Sequence, residues 1–96
     1  MKLRHALGDT LKELRNEQGY TLRQVSGKAG MALGYLSEIE RGQKEASSEI
    51  LDGLSYALNI SLAEVLILTA YKLQGGVPDT AETLLDEYAD LVVKSN

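Results

Sequence analysis

The chain has 96 residues, 44% of them hydrophobic and 25% charged, which suits one domain able to bury a modest core. It has no cysteine and a single histidine, His5. Disulfide frameworks, thiolate chemistry, cysteine-ligated zinc and any two-histidine metal site are therefore excluded, and no cofactor is expected.

The net charge of −4 is unevenly spread. Residues 1–44 hold eight basic side chains (Lys2, Arg4, Lys12, Arg15, Arg23, Lys28, Arg41, Lys44) against five acids (Asp9, Glu13, Glu17, Glu38, Glu40), a balance of +3. Residues 45–96 hold Lys72 and Lys94 against nine acids, a balance of −7. A chain polarised in this way offers one cationic face and one anionic face.

In chain order, Leu3, Leu7, Leu11 and Leu14 recur at helical spacing, and Gly19 stops that helix. Thr21 is the N-cap expected for a short helix through about Ala29, which Gly30 breaks. A third helix is predicted from about Leu33 to Arg41, ended by Gly42. Ser47 or Ser48 caps a fourth, with Ile50, Leu51, Leu54 and Leu58 on one face, and Asn59 closes it. Ser61 and Glu64 have the S-x-x-E spacing of a capping box and open a fifth. Gly75-Gly76-Val77-Pro78 reads as a linker. Asp79 and Glu82 suit the start of a sixth helix, striped by Leu84, Leu85, Tyr88, Leu91 and Val92.

No period-two pattern lasts long enough for a strand. No apolar run approaches the roughly 20 residues of a membrane span, and no signal-peptide core is present. The expected organisation is all-α and cytoplasmic, with no membrane partner. A domain covers 1–74, a linker 75–78 and a last helix 79–96.

The informative window is Leu22 to Gly42, which reads as helix, tight turn, helix. Two short helices meeting steeply need a small residue at their crossing, and Ser26 is placed there. Their turn needs a residue tolerant of positive φ, supplied by Gly30. Apolar residues must flank the turn and face the core, as Val25, Ala29, Met31, Leu36 and Ile39 can.

This window resembles the helix-turn-helix of the Cro/C1 (XRE-like, phage-repressor) family of transcriptional regulators, a likeness extending over about residues 3–70. Leu11-x-x-x-Arg15, then Gly19-x-Thr21-Leu22, is similar to the family's opening. Leu36-Ser37-x-Ile39-Glu40-Arg41-Gly42 is similar to its recognition helix and stop. The run from Gly34 to Glu49 resembles one branch, the actinobacterial regulators of Clp protease genes, which act mainly as activators.

The resemblance implies a five-helix DNA-binding domain, motif about 22–42; the apolar C-terminal helix beyond it is expected to serve dimerisation, or else to fold back and cap its own domain. The resemblance also implies that Arg15 and Glu40 pair across the first and third helices as a structural ion pair. The partners it implies are double-stranded DNA, RNA polymerase, and the Clp protease as degrader. That protease recognises a small apolar tail in the branch, whereas this sequence ends Val92-Val93-Lys94-Ser95-Asn96.

If the front of the third helix enters the major groove, the base-reading candidates are Ala32, Leu33, Gly34, Ser37 and Glu38. Ala32 and Leu33 can touch a thymine methyl, Glu38 can accept from cytosine N4, and Gly34 admits a close backbone approach. Leu33 could instead serve the core, and Glu38 could be a solvated charge. No Arg, Asn or Gln stands at the helix front for a bidentate base contact. Shape, water, or Arg23 and Arg41 are then expected to carry part of the specificity. Phosphate contacts are expected from Thr21, Arg23, Lys28, Tyr35, Arg41, Gln43 and Lys44, and from Ser47 and Ser48 at the free N–H groups of the fourth helix.

Val65, Leu66, Ile67 and Leu68 are consecutive, so the fifth helix is apolar all round and expected to be buried all round. With the sixth it suggests a homodimer through Ile67, Leu68, Tyr71, Leu84, Leu85, Tyr88, Leu91 and Val92. An antitoxin-like protein-binding module of the same fold is the competing reading, with the acidic half holding the partner. Activation and repression stay open on the residues. Some relatives activate through acids on the first motif helix; Leu22 to Ala29 has none, and Glu13 and Glu17 are the nearest. An enzyme is not expected, since Asp86, Glu87 and Asp90 have no nucleophile–base set, phosphate loop or metal spacing beside them.

Overall fold

The computed structural model describes residues 1–75, folded as five helices with no strand among them: α1 (Leu3–Glu17), α2 (Leu22–Ala29), α3 (Leu33–Glu40), α4 (Ser48–Leu58) and α5 (Leu62–Leu73). The expected linker beyond Gly75, the helix over 79–96, and with it Leu84, Leu85, Tyr88, Leu91 and Val92, lie outside the described residues.

Local chemistry starts and stops these helices. Thr21 caps α2 by accepting from the Gln24 N–H, and the Gln24 side chain accepts from the Thr21 N–H in return. This reciprocal box, T-x-x-Q, is legible in the sequence but was expected instead at Ser61 and Glu64. There only half of it forms. The Ser61 hydroxyl accepts from the Glu64 N–H and donates to the Glu64 carboxylate, which therefore does not reach back to the backbone. Of the two serines before α4, Ser47 is the cap, accepting from the Ile50 N–H.

Gly30 ends α2 in the left-handed region at φ 70°, where a Cβ would be strained. Gly42, at φ 73°, ends α3 in the same way, and the Gln43 N–H closes on the Glu38 carbonyl.

One core joins all five helices. Leu7, Leu11 and Leu14 of α1 meet Val25 of α2, Leu36 and Ile39 of α3, Leu54, Ala57 and Leu58 of α4, and Val65 of α5. Ser26, the small residue expected at the crossing of the two motif helices, is buried at 4% exposure. α1 lies across both α3 and α5, and α2 packs against α3 and α4. Gly8 makes the α1–α3 crossing close, since a Cβ there would collide with the backbone carbonyls of Ile39 and Glu40. At the other crossing of α1, the buried hydroxyls of Thr10 and Thr69 approach to 3.2 Å. Each is also within reach of the carbonyl four residues earlier in its own helix, so both remain satisfied out of water.

The fifth helix departs from expectation. It is not buried on every side. Val65, Thr69 and Tyr71 point inward, whereas Leu66, Leu68 and Leu73 remain exposed. α1 and α4 cover one side of it, and four consecutive apolar residues cannot all face that side. Tyr71, expected at a dimer interface, is instead 7% exposed within its own chain.

Candidate nucleic-acid interface

The candidate site is the front of α3 with the segment that follows it. α3 is held from behind by an ion pair. Arg15 Nε and Nη2 donate to the two carboxylate oxygens of Glu40 at 2.7 and 2.9 Å, and Nη1 donates to the Tyr20 carbonyl at 2.9 Å. Side-chain exposure is 12% for Arg15 and 6% for Glu40, so the fork-on-fork geometry forms largely out of water. The hydrogen bonds to Glu40 raise the Arg15 pKa above its ordinary value, burial opposing and the carboxylate charge assisting. The guanidinium therefore stays charged through the working pH range. Glu40 closes α3, where a carboxylate opposes the helix dipole; the guanidinium neutralises it.

With its back fixed, α3 presents its N-terminal end outward. Ala32, Leu33 and Gly34 are exposed, and Ser37 and Glu38 half-buried. At 38% exposure Leu33 is not a core residue, which answers the choice left open by its sequence. A Cβ added at Gly34 would meet nothing within 4 Å, so the fold itself does not require glycine there.

The polar candidates are mostly at the surface. Thr21, Arg23, Arg41, Gln43, Lys44, Ser47 and Ser48 are all exposed. Two others have engagements that spacing could not show. The Lys28 ammonium lies 5.4 Å from the ring centroid of Tyr56 on α4, within cation–π range. The Tyr35 hydroxyl donates to the Glu45 carbonyl at 3.0 Å.

Residues outside the expected set also make contacts between elements. Arg4 Nε donates to the Gly42 carbonyl at 3.1 Å, and His5 packs where a Gly42 side chain would go. Gln18, just past α1, donates to the Leu58 carbonyl at the end of α4. Glu13 pairs with Lys72 across α1 and α5 at 2.7 Å. Among the described residues no group of His, Asp or Glu could hold a metal ion, and no single helix is long and apolar enough to cross a membrane.

Comparison with known proteins fits this geometry. The helix-turn-helix family matches residues 11–65. The transcriptional regulator ClgR of Mycobacterium tuberculosis is 54% identical over 65 residues, 68% of this chain and 58% of that protein; the match thus spans little more than half the length of that relative. The crystal structure of the clp gene regulator ClgR from Corynebacterium glutamicum superposes with a TM-score of 0.74, 36% identity, and coverage of 100% of this chain and 96% of that one. SinR, the master regulator for biofilm formation, solved in complex with DNA, superposes at 0.59 with 38% identity over 62% of this chain and 97% of its own. The motif window, the five-helix core and these matches agree: the chain belongs to the helix-turn-helix family of transcriptional regulators, of the Cro/C1 type.

Proposed function

We propose that this chain is a sequence-specific DNA-binding transcription regulator that acts in the cytoplasm as a homodimer on a palindromic operator. The observation that carries the reading is the outward front of α3, Ala32 to Gly34, fixed from behind by the Arg15–Glu40 fork. A helix end braced in this way can enter a major groove, with Leu33 on a thymine methyl, Glu38 and Ser37 on base edges, and Gly34 allowing close approach. Thr21, Arg23, Arg41, Gln43 and Lys44 then flank the phosphates, as does the start of α4 at Ser47 and Ser48. The DNA complex of SinR supports the reading by similarity. Likeness to the clp gene regulators supports activation of protease or chaperone genes. RNA polymerase is the partner such activation needs; of the two nearest acids Glu13 is tied to Lys72 and Glu17 is exposed.

A single short helix reads few base pairs, so a second copy is needed to add binding free energy. The exposed Leu66, Leu68 and Leu73 of α5, with half-buried Ile67, offer apolar surface that such a copy would cover, Leu66 and Leu73 on one face of the helix and Leu68 on another. Leu68→Asp should leave the fold intact while the protein sediments as a monomer and loses most of its operator affinity. A Leu68→Asp protein that remains dimeric removes this face from the interface.

The class is tested by selecting bound duplexes from a random pool at two salt concentrations. A palindrome with half-site centres about 34 Å apart and a steep salt slope is expected. Lys44→Ala should weaken all sequences about equally and reduce the slope by about one. Glu38→Ala should relax one base pair in each half-site. A pool that returns no enriched sequence overturns the reading.

A further inference from the structure

Residues 41–47 join α3 to α4 without helix and carry the cations Arg41 and Lys44. Both ends of this segment are anchored. The Gly42 carbonyl accepts from Arg4 Nε and the Gln43 N–H closes on the Glu38 carbonyl. Beyond them, Ala46 packs partly buried against the core and Ser47 caps α4. Between Gln43 and Ala46 stands the hydrogen bond from Tyr35 to the Glu45 carbonyl, 3.0 Å long and spanning ten residues of chain. Tyr35 lies in the first turn of α3, two residues after Leu33, so it ties the middle of the segment to the front of the helix. A phenol has one proton. Given to Glu45, it is unavailable to a phosphate oxygen, which only accepts.

We infer that Tyr35 is a positioning residue rather than a phosphate contact: it holds the backbone after Lys44 through the Glu45 carbonyl, as the Gln43 bond to Glu38 holds it before, so that this cation is presented beside α3 before DNA arrives. Ordering a loop on binding weakens affinity, whereas a loop ordered in advance has met that entropy on folding. The inference rests on the DNA-binding reading and deepens it by naming what aims the cation.

The test is a double-mutant cycle on a selected operator duplex, with the intact chain. Tyr35→Phe keeps the ring and should melt as wild type does. It should lower affinity about fivefold, the scale of one hydrogen bond, on every duplex alike. The salt slope should fall toward that of Lys44→Ala, because the misplaced cation releases fewer counterions. In the Lys44→Ala background, Tyr35→Phe should change affinity by less than about twofold. Full additivity of the two losses, or a loss with the salt slope unchanged, would mean that the neutral hydroxyl touches the phosphate itself, and overturns the inference. Wild-type affinity for Tyr35→Phe does so equally. If the wild-type chain selects no duplex, the DNA-binding reading fails first and this inference with it.

Discussion

Glu40→Ala is expected to destabilise the fold by about 3–5 kcal/mol, the scale for breaking one side of a buried ion pair. With the carboxylate gone, Arg15 keeps one of its three hydrogen bonds, that to the Tyr20 carbonyl. Its charge persists, since a guanidinium does not deprotonate in a folded protein, and its side chain is 12% exposed, so water replaces the lost oxygens poorly. For a folded unit of this size the melting temperature should fall by about 15 °C or more. Arg15→Ala should cost a similar amount, by stranding Glu40 at the wrong end of the α3 dipole.

The double variant Arg15→Leu with Glu40→Leu should recover most of the loss, because apolar residues of similar volume strand no charge. Thermal melts of the four proteins decide the matter. A Glu40→Ala protein that melts with wild type would show that the fork contributes little, and α3 would need another brace.

Gly8→Ala should also destabilise, against the ordinary preference of a helix for alanine. In an exposed helix interior that exchange gains up to about 1 kcal/mol. Here the new Cβ meets the carbonyl oxygens of both Ile39 and Glu40, the latter at 2.7 Å. These are backbone atoms at the end of α3, so a rotamer change cannot relieve the contact, and α1 and α3 must separate. Overpacking of this kind costs about 1–3 kcal/mol, and Gly8→Val should cost more than Gly8→Ala. The displacement acts on the reading helix itself, so affinity for duplex DNA should fall with stability. Gly34→Ala is the control, meeting nothing within 4 Å and leaving the melting temperature level or higher. Equal melting of Gly8→Ala and wild type would refute the close crossing.

Much of the architecture could be read without coordinates, because the signals that bound these helices act within a few residues. Thr21, Ser47 and Ser61 each cap the helix that follows them. Gly30, Gly42 and Asn59 take the left-handed conformation where the helices stop. The misplaced capping box shows the limit of such signals. S-x-x-E and T-x-x-Q look alike, and only the final rotamers decide that Gln24 reaches back whereas Glu64 turns to the Ser61 hydroxyl.

At the candidate site, the inward Leu36 and Ile39 were legible from 3.6-residue periodicity, whereas Leu33, three residues before Leu36, suited core or groove by spacing alone and only the fold leaves it exposed. The opposite fate of neighbours on α5 was not. Periodicity fails where Val65 to Leu68 are all apolar, and which of them is covered depends on how far α1 and α4 extend over the helix.

The sequence by itself determined the five described helices, most of their ends, and a polarised distribution of charge, since these follow from spacing and residue type along one strand of chain. Only the tertiary structure decided the partners across it. Helix crossings bring Gly8 onto the α3 backbone, swing Lys28 over Tyr56, turn Tyr71 inward while Leu66 and Leu68 stay out, and bend the segment after α3 back until Glu45 meets Tyr35. Such contacts depend on distances between elements that no local pattern encodes, because a side chain's reach is short beside the spacing of two packed helices.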